Sequence, residues 1–170
     1  MRFHQAALLV AIACAAIPAS AQSLCELVPA AVVQSTLGIP VTLTAAPNTQ
    51  GGNGCDYKGA STGPITLTAD TISDAGIYKT IFDQRLHSLG PTQQLVSGVG
   101  DAAYYDLKQQ QQIPKYPGVN FTRQSIVFRA KGKIVNFILT IPGDGVTKAS
   151  MLALANYTIS KPINSLKDPA

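Results

Sequence analysis

The sequence predicts an α+β fold, in which three helices cover a mostly antiparallel sheet of about five strands in the order α-β-β-α-β-β-β-α. Three observations indicate this class. Several segments alternate apolar and polar residues, as half-buried strands do. Short glycine-containing turns favour antiparallel hairpins. Each helical segment has one apolar face, so the helices are expected to pack on the sheet.

The first helix is predicted over residues 29–37. Pro29 suits a first helical turn, where its missing N–H would have no partner in any case. Ala30, Val33 and Leu37 form one apolar stripe at helical spacing. Gly38 can end the helix in the left-handed conformation.

Two strands and a second helix are predicted next. One strand begins at Cys55, and the other spans residues 65–70, where apolar and polar residues alternate. The helix begins near Ser73 or Asp74, either of which can cap it, and ends at Gly90. Its apolar residues step by four, four and three positions: Tyr78, Phe82, Leu86 and Leu89.

Strands at residues 95–99 and 102–107 are predicted to precede a hairpin. The hairpin pairs residues 125–130 with residues 133–141 and turns at Lys131–Gly132, because glycine adopts the positive φ that a tight turn needs.

Two further segments complete the prediction. The four glutamines at 109–112 are interpreted as a low-complexity loop. A third helix is expected over residues 147–159, with Met151, Leu152 and Ala155 on one side.

The N-terminus has the three-part pattern of a secretory signal peptide. A short polar start with Arg2 is followed by an apolar run at 6–17 and by small residues at 19–21. The run is too short for a membrane-spanning helix, which needs roughly 20 residues. We therefore expect a signal peptide at 1–21, a single exported domain at 22–170 that is periplasmic or secreted, and no integral membrane span. An alternative is a lipid anchor on Cys14, although Ala11 stands where a lipoprotein signal usually has leucine.

Cys25 and Cys55 remain after cleavage, and an even pair in an exported chain predicts a disulfide. The alternative is two separate buried thiols. A redox role is disfavoured, because redox cysteines stand close together in the sequence whereas these are 30 positions apart.

Composition and motifs argue against several functions. The net charge of +4 is modest and no run of basic residues occurs, so nucleic acid is not an expected partner. The glycine-rich stretches at 51–54 and 98–100 lead into strands, whereas a phosphate loop opens a helix, so no cofactor is expected. One histidine and two paired cysteines give no metal site.

A hydrolase that uses aspartates and His87 is kept as an alternative. His87 is the only histidine after residue 21, and no Gly-x-Ser-x-Gly motif presents a nucleophile. Asp101 and Asp106 lie about 16 Å apart along an extended strand, too far for a carboxylate pair. Asp56 or Asp70 would have to supply the partner.

The expected binding surface combines aromatic and basic residues. Tyr104 and Tyr105 are neighbours on one strand and therefore face opposite sides. Arg129, Lys131 and Lys133 cluster at the hairpin tip, where they can contact an acidic partner. The alternative is a solvated turn that discourages aggregation at the sheet edge.

The order of four motifs resembles a group of small exported bacterial domains of unknown function, which includes actinobacterial lipoproteins and looks similar to extracellular sensor-like domains. The motifs are "CELVPAAVVQSTLG", "CDYKG", "VSGVGDAAYYD" and "KGKIVNFILTI". The resemblance covers residues 25–159 and implies an antiparallel α+β fold without known catalytic residues.

These observations predict a non-enzymatic, exported binding domain of the bacterial cell envelope or periplasm, whose partner is an unknown protein or envelope component. A protein–protein interaction or inhibitor module is a second reading, and the hydrolase is a third. Titratable side chains that converge in one pocket would favour an enzyme, and a contiguous exposed apolar patch would favour a protein partner.

Overall fold

The computed structural model describes residues 23–44, 54–59 and 65–166. The expected signal peptide at 1–21 and Cys14 lie outside the described residues.

The described strands form one antiparallel sheet of seven strands, with the spatial order β1-β2-β3-β7-β6-β5-β4. The strands, in chain order, are β1 Val41–Thr44, β2 Cys55–Gly59, β3 Thr66–Ser73, β4 Gln93–Val96, β5 Ala102–Gln112, β6 Asn120–Ala130 and β7 Lys133–Pro142. Consecutive strands are neighbours within β1–β3 and within β4–β7, and the pairing of β3 with β7 joins these two parts. β1 and β4 are therefore the edges of the sheet.

Four α-helices accompany the sheet in the described part of the chain: α1 Leu24–Leu27, α2 Ala30–Leu37, α3 Gly76–His87 and α4 Lys148–Ile159. None of these helices has the length and apolar character that a membrane crossing requires. The α+β class and the antiparallel pairing are confirmed. The expected counts of five strands and three helices are wrong, because α1 and β1 were not predicted and the expected order gave three strands after the second helix, although four segments were named there and the structure has four.

The glutamine segment is also a correction, because β5 runs through it to Gln112. Gln110 pairs with Thr122 and Gln112 pairs with Asn120, so the ladder between β5 and β6 continues past a register shift after Asp106. Glutamine has only a weak intrinsic preference for strands, but strand preference depends strongly on the neighbouring strands. Pairing with β6 therefore decides the conformation of this segment.

The two faces of the sheet differ in their cover. On the inner face, side chains such as Tyr57, Leu67, Phe128 and Phe137 are fully buried in a core that includes residues of α1, α2 and α4. The opposite face, here called the outer face, carries Thr68, Asn136, Val127, Tyr104 and Leu95. Of the helices in the described ranges, α3 alone packs on this face, whereas the other three contribute to the core on the inner face.

The Cys25–Cys55 disulfide is confirmed, with a Cα–Cα distance of 5.5 Å. It links α1 to the start of β2. Beside it, the buried hydroxyl of Tyr57 donates to the carbonyl of Val28, which satisfies a polar group inside the core. The N-terminal helices are thus attached to the sheet both covalently and by a buried hydrogen bond.

Candidate functional site

The predicted aromatic pair occupies both faces of β5. Tyr105 lies on the inner face, where its hydroxyl donates to Gln124 Oε1 at 2.5 Å and the Gln124 amide donates to the Val146 carbonyl at 2.9 Å. Burial raises the pKa of Tyr105 to about 12. Tyr105 is fully buried and therefore cannot contact a partner directly.

Tyr104 lies on the outer face, as the two-residue period of a strand predicts. Its ring lies 6.0 Å from the ring of Phe82, which comes from α3. Burial raises the pKa of Tyr104, and the positive charge of Arg85 partly offsets the rise. Tyr104 therefore forms part of the floor beneath α3.

Arg129 attaches α3 to the sheet. Its guanidinium donates to Asp83 at 2.7 Å, lies 3.6 Å from Asp74 and stacks on Phe82 at 5.4 Å. The hydrogen bond from Lys79, and then that from Arg129, lower the pKa of Asp83. The expected helix cap by Asp74 is wrong, because the cap position is occupied by Ala75, whose side chain makes no capping hydrogen bond.

The lysines of the hairpin tip also make internal contacts. Lys131 donates to the carbonyls of Ile159 and Lys161 at 2.7 and 2.8 Å, at the C-terminal end of α4 where a cation is favourable. Lys133 is only 6% exposed. The five residues of the predicted binding surface therefore do not form one accessible patch.

A groove of about 630 Å³ lies where α3 ends beside the hairpin of β4 and β5. We call it the α3–β4 groove. Its lining residues are Leu86, His87, Leu95, Val96, Ser97, Ala102 and Ala103. The helix reaches this position because Phe82, one turn before Leu86, is anchored on the outer face. The side chain of Ala102, which faces the same side as Tyr104, is small and leaves space that a larger residue would fill.

Exposed apolar side chains lie in the groove and along α3. Leu95 is 62% exposed at the edge of the sheet. Ile77, Tyr78 and Ile81, here called the α3 ridge, are 69%, 48% and 53% exposed. This is a correction to the predicted stripe, because Phe82 is the one residue of α3 that is buried. A smaller cavity of about 200 Å³, lined by Ile81, Gln84, Arg85 and Ser88, lies along the same helix.

Basic side chains are present on both sides of β4. Arg85 and His87 lie at the end of α3. On the inner side, the Lys148 ammonium donates to the Gln94 side chain and stands 5.4 Å from the Tyr105 ring. Of the described residues that line the α3–β4 groove, only His87 can titrate.

The carboxylates of the hydrolase alternative lie elsewhere on the outer face. Asp56 accepts from Thr68 at 3.0 Å, and Asp106 accepts from Gln93 at 3.4 Å. Asp70 is opposite Asn136 on β7. The structure does not bring these groups into the groove that holds His87. Within the described ranges, no three His, Cys, Asp or Glu side chains are placed to hold a metal ion.

Comparisons of the chain with protein-family models, with curated proteins and with solved structures found no match. The resemblance to small exported bacterial domains stays a prediction. The functional inference therefore depends on the geometry of the α3–β4 groove and its surroundings.

Proposed function

We propose that the protein is a non-enzymatic, exported binding domain that recognises its partner through the α3–β4 groove. The observation that carries this proposal is the composition of the groove, in which apolar and small side chains form the walls and His87 is the single titratable group among the described lining residues. Its volume lies within the range of about 300–1,000 Å³ that is usual for ligand sites. The disulfide is compatible with an oxidising compartment such as the periplasm.

A protein is the partner class that the surroundings favour. The α3 ridge and Leu95 expose four large apolar side chains on the side of the sheet that carries the groove, and clusters of this kind often mark protein-interaction sites. Tyr78 provides an aromatic side chain of the kind that is enriched at protein interfaces. The interaction-module reading is therefore the form of the proposal that we prefer over a small-ligand site.

Site-specific photocrosslinking in the exporting host tests the proposal. A photoreactive residue at Ser97, in the wall of the groove, is expected to capture a defined partner, whereas one at Ser35, on the exposed surface of α2, captures none. The Ser97→Trp substitution fills the groove and should abolish co-purification of that partner, with Ser35→Trp as the matched control. Equal capture at both positions would place the binding surface elsewhere.

The hydrolase alternative has its own test. If the protein turns over a substrate and His87→Ala or Asp106→Asn abolishes turnover while the fold is retained, the non-enzymatic reading is wrong.

A further inference from the structure

β4 is an edge strand whose outward peptide groups can be identified from its register. Leu107 N–H donates to the Thr92 carbonyl at 2.5 Å, and the pairing of Gln94 with Tyr105 and of Val96 with Ala103 follows in alternation. In an antiparallel ladder, every second residue directs both of its peptide groups to the neighbouring strand. Gln94 and Val96 therefore face β5, whereas Gln93 and Leu95 face away from the sheet.

The outward groups are centred on Leu95. The Gln93 N–H is already used, because it donates to the Gly90 carbonyl at 3.0 Å in the turn before the strand. The register pairs Leu95 with Tyr104 at a position between the hydrogen-bonded pairs, so the N–H and the carbonyl of Leu95 point away from β5. One donor and one acceptor at a single residue form the pair that an added antiparallel strand would use.

The edge lacks several of the features that prevent strand addition. Natural edge strands are protected by charged side chains, proline, a bulge or a very short length, and of these β4 has its length of four residues. β4 has the sequence Gln-Gln-Leu-Val, which contains neither a charge nor a proline, and the register shift of this region belongs to β5. Leu95 also exposes its side chain beside the α3–β4 groove.

The charges around the edge favour an acidic partner. The Lys148 ammonium lies on the inner side of β4 at Gln94, and it has three N–H donors, of which the Gln94 bond uses one. On the outer side, the described lining of the groove contains no Asp, Glu, Lys or Arg side chain, so this side favours apolar groups. Side chains of an added strand would alternate between these two sides.

We propose that β4 accepts an extended, acidic segment of a partner protein as an additional antiparallel strand, with apolar side chains on the groove side and carboxylates on the Lys148 side. The proposal rests on the proposed function and deepens it, because it specifies the backbone conformation and the side-chain pattern of the bound segment. Main-chain hydrogen bonds to Leu95 supply affinity, and the groove supplies specificity.

Four synthetic peptides test the pattern. The first is a capped heptapeptide that alternates Asp and Val, which places all of its carboxylates on one side of a strand. The controls are a block arrangement of the same residues, an alternating Lys and Val peptide, and the first peptide with its central amide N-methylated. Fluorescence anisotropy should show binding of the first peptide that is about tenfold tighter than that of each control.

Amide hydrogen exchange at Leu95 is the decisive readout. In the protein alone, the Leu95 amide should exchange much faster than those of Gln94 and Val96, which are bonded to β5. Saturation with the first peptide should slow exchange at Leu95 by about tenfold and leave its two neighbours nearly unchanged. Leu95→Pro and Leu95→Ala both remove the leucine side chain, but the proline variant also lacks the outward N–H. Leu95→Pro should therefore weaken binding more than Leu95→Ala.

Two peptide results would overturn the proposal: binding without protection of the Leu95 amide, or a Kd above about 1 mM for every peptide. Protection of Leu95 that rises with protein concentration alone would also overturn it, because a second copy of the protein would then be the occupant. Capture of a partner at Ser97 together with any of these results would retain the groove and reject strand addition. Protection of Leu95 by the peptide without any effect of Ser97→Trp on partner retention would retain strand addition and reject the groove as the partner site.

Discussion

Phe82 is expected to determine whether α3 stays on the sheet. It is 4% exposed and is the one buried residue of this helix, between Tyr104 below and the Arg129 guanidinium beside it. The helix begins at Gly76 without a side-chain cap, and its other described attachment is the polar contact of Asp83 with Arg129. The substitution Phe82→Ala therefore removes the main apolar contact of α3.

The magnitude follows from the buried area. A phenylalanine side chain that is almost fully buried removes about 150–200 Å² from water, which at about 25 cal/mol per Å² corresponds to about 4–5 kcal/mol. Alanine retains a small part of this, and the residual cavity adds to the loss, so Phe82→Ala should lower the free energy of unfolding by about 3–5 kcal/mol. If α3 detaches while the rest of the protein stays folded, the loss of unfolding free energy cannot exceed the free energy that holds α3 on the sheet.

Urea unfolding followed by circular dichroism measures the change, with Ile81→Ala as the matched control. Ile81 is adjacent on the same helix but 53% exposed, so its replacement should change the free energy of unfolding by less than about 1 kcal/mol. Hydrogen exchange should show α3 amides that become labile in Phe82→Ala alone. Equal effects of the two substitutions would refute the conclusion that Phe82 anchors the helix.

Two further predictions concern stability. Replacement of Cys25 and Cys55 by alanine should lower the free energy of unfolding by about 3–4 kcal/mol, because the disulfide restricts the unfolded chain; the urea midpoint with and without the substitutions measures this, and an unchanged midpoint would contradict it. The second concerns alkaline pH. The pKa of Tyr105 is about 12 in the folded protein and about 10 when unfolded, so its contribution is constant below pH 10 and is lost as the pH rises from about 10 towards 12. Tyr105→Phe should flatten the stability profile in this range and, at neutral pH, cost about 1–3 kcal/mol because the Gln124 carbonyl loses its donor; profiles of equal slope in urea titrations at each pH would contradict the assignment.

Local patterns in the sequence identified most of the regular elements. Helical spacing and end signals located the helix that ends at Gly38, and this residue does adopt φ +70°. The Lys131–Gly132 turn was predicted from glycine alone, and both residues have positive φ. These features depend on neighbours within a few positions, so they are visible in one sequence.

Elements that depend on distant partners were missed. β1 is only four residues long and is recognisable chiefly through its pairing with β2. The helix α1 is an exception, because its start has a local signal. Ser23 and Glu26 form a reciprocal capping box. The extension of β5 through the glutamines requires β6 as its partner.

The candidate site shows the same division. The opposite orientation of Tyr104 and Tyr105 follows from strand periodicity. The roles of the cations do not, because Asp83, the partner of Arg129, is 46 positions away, and Ile159, which Lys131 contacts, is 28 positions away. The groove itself is formed by a helix end and an edge hairpin, so no single segment of the sequence encodes it.

The strand order makes the length of α3 a geometric requirement. β3 lies in the interior of the sheet, but the next strand in the chain, β4, lies at the far edge, with β7, β6 and β5 in between. Four strand spacings of about 4.8 Å amount to about 19 Å. A helix of 12 residues spans about 18 Å. The length of the helix thus matches the distance that the chain must cross. Insertion of one helical turn would carry Leu86 past the edge and remove one wall of the groove.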